Sequence, residues 1–326
     1  MADEGEQFHR EVLPKIVSII ILLIICLFGN TFTFITIVSQ RKLRTIDNSF
    51  LASFAFSSLL LAILLMLPLI VSGLTTYWPF GTVFCNLSYS FSIFLSSASV
   101  LHVLAIGICR FTIVAYPLTY HYILTKKITI AMFCYIWLQP FAVAFLPYVA
   151  WRNITETFDN KYCNQETLIM QHIEYESVYS IIVVAINFAL SCVIIVILYI
   201  FIFGMAYNQR RRLINTAASF NFNIENRKYN ICTSLIHGIT MTVYIISWVI
   251  FHTLSLVVIS QGSHLSKTLQ PFLDTASLIS VFLIFTNLSI CPFIYGLLTL
   301  DIRLAMSRWW CCCRRKHIRR RYLQKV

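Results

Sequence analysis

Eight histidines and eleven cysteines are spread through the 326 residues of this chain, and few of them stand where they could do chemistry. There is no HExxH, no paired-carboxylate spacing and no nucleotide-binding motif. An enzyme is therefore not expected, and neither a cofactor nor a metal. Three features remain. Cys311, Cys312 and Cys313 follow Trp309-Trp310 and precede a basic run, a setting that suits S-palmitoylation; three unmodified thiols beside a basic tail is the alternative. Arg110 is a cation at the end of an apolar stretch, where a charge is costly and is kept only for work. Trp248 and His252 lie one helical turn apart on one face, and both admit two readings. Trp248 is a ligand contact or a packing residue, and His252 a ligand contact or a satisfied bonder between helices. The other cysteines read as small buried apolar residues.

The elements that must position these residues follow from composition. Hydrophobic residues make up 58% of the chain and charged residues 12%, against roughly 25% charged in a soluble protein. Such a chain cannot cover a water-facing surface, and the excess apolar residues must face lipid. A crossing helix needs about 20 apolar residues, and seven stretches qualify, near 16–38, 49–73, 83–109, 128–150, 178–206, 231–260 and 272–299. They are continuous, where barrel strands would alternate. The expected fold is all-α, a seven-transmembrane bundle. Ile302, Ala305, Met306, Trp309 and Trp310 recur with the spacing of a membrane-surface helix, which predicts a short amphipathic eighth helix over 300–310 and a basic tail over 311–326. The first span is too long for a cleavable leader, and the acidic residues 1–15 leave little room for a separate N-terminal domain.

Basic residues orient the bundle. With the N-terminus outside, only Arg10, Lys15, Arg152, Lys161 and Lys267 of the 25 Lys and Arg fall outside, while only Asp47, Glu225 and Asp301 of the 13 acids fall inside. The net charge of +12 is then a topology signal and an attraction to membrane lipids, with no nucleic-acid site implied. Apart from Arg110, no charge lies deep in a span, and the two halves show no paired broken helices. Both observations argue against a pump, transporter or channel.

Landmarks along the spans now combine. Gly29-Asn30 is followed by Arg41-Lys42-Leu43-Arg44-Thr45, then Asn48 ahead of Leu51-Ala52-Ser53, then Trp78-Pro79-Phe80-Gly81 before Cys85. Arg110 stands 25 residues after Cys85, followed by Tyr116-Pro117-Leu118. Trp137, Pro147, Phe188, Tyr199, Trp248 and Pro292-Phe293-Ile294-Tyr295 mark the later spans. This order and spacing resemble the rhodopsin-like (class A) G-protein-coupled receptors over essentially the whole chain. The segments Arg41–Thr45 and Tyr295-Gly296-Leu297-Leu298 are similar to melatonin-type receptors and orphan relatives.

The resemblance implies a plasma-membrane receptor with Arg110, Tyr199, Pro292 and Tyr295 in its coupling switch. Its partners are an extracellular ligand, a heterotrimeric G protein and arrestin. It implies a disulfide between Cys85 and Cys163, which an oxidising exterior permits, and it places Asn153 of Asn153-Ile154-Thr155 in an outer loop as a glycosylation site. The sequons at Asn86 and Asn287 fall at the membrane edge and inside a helix. The implied pocket is lined by Tyr89, Ser92, Ser96, Asn187, Trp248, Phe251, His252, Ser277 and Val281, with Asp274 and His264 at its rim.

Departures from the family pattern sharpen the expectation. Ser92 stands where aminergic receptors carry an Asp, which disfavours an amine ligand, and Phe285 stands where opsins carry the retinal-binding Lys. With no strong charge in the cavity, a neutral or lipid-like ligand suits it better. Ser58 replaces the second-helix Asp and removes the only full negative charge of the family's sodium pocket. Phe111, Ser191, Ile250 and Cys291 replace the Tyr after the arginine, the fifth- and sixth-helix prolines and the seventh-helix Asn. Cys109 and Asn230 replace the two acids that hold the third-helix Arg inactive, so Arg110 is expected to lack a carboxylate partner and the receptor to show basal activity. Two classes stay open: a ligand-activated receptor, and a seven-helix scaffold or decoy that binds without driving nucleotide exchange.

Overall fold

The computed structural model describes residues 13–75, 77–150, 184–215, 242–254 and 270–298, with isolated positions at 238, 240, 257 and 302. Among them all regular structure is helical. Helix α1 is Leu13–Ser39, α2 is Ile46–Thr75, α3 is Gly81–Ala115 and α4 is Lys126–Ala150. Helix α5, Leu190–Asn215, continues a wide π turn at Val184–Ala189. Helix α6 is Thr242–Leu254 and α7 is Gln270–Leu298. Five of these are long and apolar enough to cross a membrane. Helix α3 alone is roughly 52 Å long at 1.5 Å per residue, well beyond the ~30 Å hydrocarbon core.

The observed helices run a few residues past most of the apolar stretches. Helix α1 starts at Leu13 and α3 continues to Ala115, because a helix does not stop where lipid stops but where caps and turns allow it. Of the predicted eighth helix only Ile302 is described, helical and buried; the rest of 300–326 lies outside the described residues.

Local chemistry explains the turns. Arg44 donates twice to the Val38 carbonyl, at 3.0 and 2.6 Å, putting a cation on the C-terminal end of α1. Thr45 caps α2 by accepting from the Asn48 N–H, as an N-cap hydroxyl does, and the Asn48 side chain closes the turn on the Leu43 carbonyl at 2.9 Å. Within α2, the ladder widens to a π turn at Ala62–Met66 just before Pro68. Proline has no N–H and its ring presses on the preceding turn, so the widened turn absorbs the misfit. At the start of α3, Gly81 takes φ +77°, where a side chain would strain the backbone. That conformation lets the Trp78 indole donate to the Gly81 carbonyl at 3.0 Å.

Polar side chains cross-link the bundle. Asn30 of α1 donates to the Leu288 carbonyl of α7 at 3.3 Å, and Ser289 of α7 donates to the Leu22 carbonyl of α1 at 3.1 Å. Between α2, α3 and α4, the Trp137 indole donates to Ser53 at 3.1 Å, and the Ser53 oxygen lies 2.7 Å from His102 Nε2. His102 Nδ1 is 2.7 Å from the Ala98 carbonyl. A carbonyl only accepts, so Nδ1 carries the proton, Nε2 accepts, and the Ser53 hydroxyl donates to it. The main apolar core gathers α1, α2, α3, α5, α6 and α7 around Phe54, Leu95, Ile195, Tyr244 and Trp248.

Candidate functional site

Two sites stand at different depths. The first is built where α5 and α6 meet, away from the end of the bundle that carries Arg41–Thr45 and Arg110 (the basic end). The π turn feeds two successive residues, Asn187 and Phe188, into the interior; both are buried. Phe188 packs on His252 with ring centroids 4.1 Å apart and on Trp248 at 4.9 Å. Trp248 and His252, four apart on α6, are stacked at 5.3 Å with an 18° tilt. Phe251 stands edge-on to both, at 5.8 and 5.2 Å.

Within this aromatic box two buried nitrogens have no hydrogen-bond partner, Trp248 Nε1 and His252 Nε2. Burying such groups unsatisfied costs about 1–3 kcal/mol each. Next to Phe188, Asn187 accepts from the Gln139 amide of α4 at 2.9 Å, and Gln139 Oε1 is left buried and unpartnered.

The structure thus brings Trp248, Phe251 and His252 together with Phe188, Val281 joins the same apolar core, and Asn187 bonds to α4 instead. Ser92 and Ser96 are half-buried on α3. The backbones of Tyr89 and Ser277 are helical, but their side chains, like those of Pro292, Tyr295 and Asp274, lie outside the described residues. So do His264, Asn153, Cys163 and Cys311–Cys313. Cys85 is buried beside Trp78 and is half of a disulfide whose other half is not among the described residues. Sequence reasoning missed Phe188 as a pocket residue and Gln139 altogether. A polar amide in the lipid-crossing α4 was the available signal.

Ser58 and Ser99 are fully buried and each donates back to its own helix, to Phe54 at 3.0 Å and Leu95 at 2.7 Å. This arrangement supplies neutral oxygens only and fits a monovalent cation poorly.

The second site lies at the basic end and corrects an expectation. Arg110 does have a carboxylate partner: its Nη2 lies 2.7 Å from Asp47 Oδ2, with both side chains largely buried. Cys109 is not that partner, and Asn230 lies outside the described residues. The acid comes from 63 positions earlier in the chain, in the first turn of α2. One helix end helps to explain the pairing. The N-terminus of α2 favours an anion, and packing α2 on α3 sets Asp47 against Arg110, which lies inside α3 before its last turn. An acid standing alone in a basic segment was the overlooked signal. Nearby, burial and the negative Asp47 push the Tyr120 phenol above its ordinary range.

Tyr199 of α5 faces the same region. Its ring packs over Gly107, one helical turn from Arg110, with Cε2 3.7 Å from where a Cβ would be. Its hydroxyl is buried and unpartnered. Gly238, ten residues before Trp248, seats against Phe203 and Tyr199 so closely that a Cβ there would lie 2.8 and 3.0 Å from them.

A multi-pass helical bundle with an aromatic cluster at one depth and a largely buried arginine–aspartate pair at another is consistent with a helical receptor. Residues 29–295 match the family described as 7 transmembrane receptor (rhodopsin family), and the chain belongs to that family, a receptor class not known for catalysis. It is 26% identical to the histamine H2 receptor of Cavia porcellus over 91% of this chain and 79% of the relative. It is 27% identical to octopamine receptor beta-2R of Chilo suppressalis over 65% and 53% of the two chains, and 28% identical to octopamine receptor beta-1R of Drosophila melanogaster over 64% and 41%. These relatives are amine receptors by name, and they show no link to melatonin-type receptors.

Proposed function

We propose that the chain is a plasma-membrane receptor whose aromatic box binds a neutral, largely apolar ligand from outside and whose basic end couples to a heterotrimeric G protein. The observation that carries the ligand class is the Trp248–His252 pair. Two nitrogens without partners sit among Phe188 and Phe251, a surface that matches a molecule with an apolar body and one or two hydrogen-bonding groups. Among the described residues Asp47, at the basic end, is the one acidic side chain, so no described carboxylate offers a counter-ion to an ammonium. The amine relatives therefore argue for common descent more than for a common ligand.

Placing the basic end in the cytosol follows the distribution of Lys and Arg. Cys163 is the proposed partner of Cys85, Asn153 the glycosylated asparagine, and Cys311–Cys313 the acylated thiols of the tail. Arrestin is a second cytosolic partner of the same face. Ligand and G protein would each bias one two-state bundle, which makes their binding mutually reinforcing.

The test is nucleotide exchange on a panel of G proteins in membranes carrying the full chain, challenged with histamine, octopamine and a set of neutral lipids. Wild type should be silent to both amines, and Ser92→Asp, which supplies an ammonium partner, should gain an amine response. Amine activation of wild type would overturn the neutral-ligand reading. Exchange in none of these cases, with intact surface expression, would favour the scaffold or decoy class.

A further inference from the structure

We propose that Asp47 is the positioning residue of the coupling switch: its carboxylate holds Arg110 against α2 and keeps the basic end of the bundle closed. The proposal rests on the reading of that end as the coupling face, and it reverses the expectation of high basal activity.

Several observations meet at this point. The Asp47–Arg110 ion pair ties the first turn of α2, where the helix end favours an anion, to a cation that lies inside α3 before its last turn. It is only half satisfied. Asp47 Oδ1 and Arg110 Nε are buried and without partners, and the buried Tyr199 hydroxyl beside Gly107 has none either. A buried pair that is completed on every side is a joint. One that leaves donor and acceptor unpaired, next to a third orphan group, has a second arrangement available to it. Arg110 is therefore placed to exchange Asp47 for other acceptors, Tyr199 among them, when the end opens.

Opening is resisted by packing as well. Gly238 fits against Tyr199 and Phe203 of α5 with no room for a methyl group, and the same Tyr199 packs over Gly107, one turn from Arg110. Removing the carboxylate leaves the packing in place but frees the guanidinium, which then has more to gain from the open arrangement. Cys109 is fully buried in a separate cluster with Phe50, Leu124 and Ile136, and it offers no charge to hold Arg110 in its stead.

The test compares wild type with Asp47→Asn and Asp47→Glu in the full chain at matched surface expression. Ligand-free nucleotide exchange should rise in D47N by roughly tenfold, the change that about 1.4 kcal/mol produces, and D47E should recover most of the restraint. A merely structural role would leave exchange unmoved while lowering thermal stability, and that result overturns the proposal. Spin labels at Tyr122→Cys and Asn208→Cys, both exposed positions, give a readout that needs no G protein. The distance distribution between the α3–α4 turn and the basic end of α5 should shift in D47N and return toward wild type in D47E. If the distances shift but no variant exchanges nucleotide, Asp47 still positions Arg110 and it is the coupling reading that fails. If distances and exchange are both unchanged, the proposal is wrong. Should D47N not reach the surface, Asp47→Ser keeps a small polar group in the first turn of α2 and carries the same test.

Discussion

Two tryptophan–histidine pairs, each a buried ring against a half-buried one, sit in this bundle and behave in opposite ways. Trp137 and His102 meet edge-on at 5.6 Å, with Ser53 between them, so that the indole N–H, the hydroxyl and both ring nitrogens have partners. Trp248 and His252 meet face to face at 5.3 Å, with nothing between them and a nitrogen orphaned on each. The residue types are the same. The first pair spends its polar atoms on joining α2, α3 and α4 into one unit, whereas the second, on α6 against α5, leaves its polar atoms unspent. Satisfied networks rigidify a core, and partly satisfied ones carry a persistent cost. The α2–α3–α4 side therefore reads as the frame, and the α5–α6 side as the part with something left to bind.

The comparison is broken most forcefully at the frame. Trp137→Ala removes an indole packed against Phe56, Phe94 and His102 and takes a partner from Ser53. Because the indole is half-buried, a loss of about 3 kcal/mol is expected, the low end for a large aromatic, read as reduced surface expression and a lower Tm of the purified receptor without ligand. A near-wild-type Tm would mean that this trio is not a frame.

A smaller effect is expected on the α5–α6 side from Gly238→Ala. The added methyl must displace Phe203 and Tyr199, and overpacking of this kind typically costs about 1–3 kcal/mol. Because the strain falls only on the closed arrangement, ligand-free exchange should rise while the Tm falls modestly. A Tm decrease with no rise in exchange would show that Gly238 serves packing alone.

How far these roles were legible in the sequence differs between the two sides. The seven apolar stretches, the helical class and the pairing of Trp248 with His252 on one face all follow from local composition and the 3.6-residue period, and the structure agrees wherever it describes them. The Ser53–His102–Trp137 trio draws on three helices, and no spacing in the chain announces it. The partner of Arg110 was missed for the same reason. The family pattern points to Cys109 beside it and to Asn230 before Trp248, while the carboxylate comes from the first turn of α2. Long-range pairing is set by how helix ends meet, and that is a property of packing. The π turn before Ser191 was equally hidden, since the proline that would have signalled a break there is absent; why the turn widens without it has no evident local cause.

The finest cut uses one substitution at two places. Replacing histidine by phenylalanine keeps a flat ring of similar size and removes the polar atoms. At His102, itself fully buried, Phe deprives the half-buried Ser53 hydroxyl of its acceptor. Interhelical bonds in membranes contribute about 0.6–2 kcal/mol, so a Tm decrease of that order is expected. At His252, the substitution deletes an orphaned nitrogen and leaves the stack on Phe188 and Trp248 intact. Exchanging an unsatisfied polar atom for an apolar one of the same shape is nearly neutral or stabilising, so the ligand-free Tm should hold or rise by the equivalent of up to about 1 kcal/mol. The two histidines thus separate by sign in a measurement that needs no ligand. Equal losses at both positions would mean that His252 has a partner after all and that the box is a second frame. A gain at His252 alone, together with a weakened response to whichever neutral lipid activates wild type, would identify that nitrogen as one the protein keeps for its ligand.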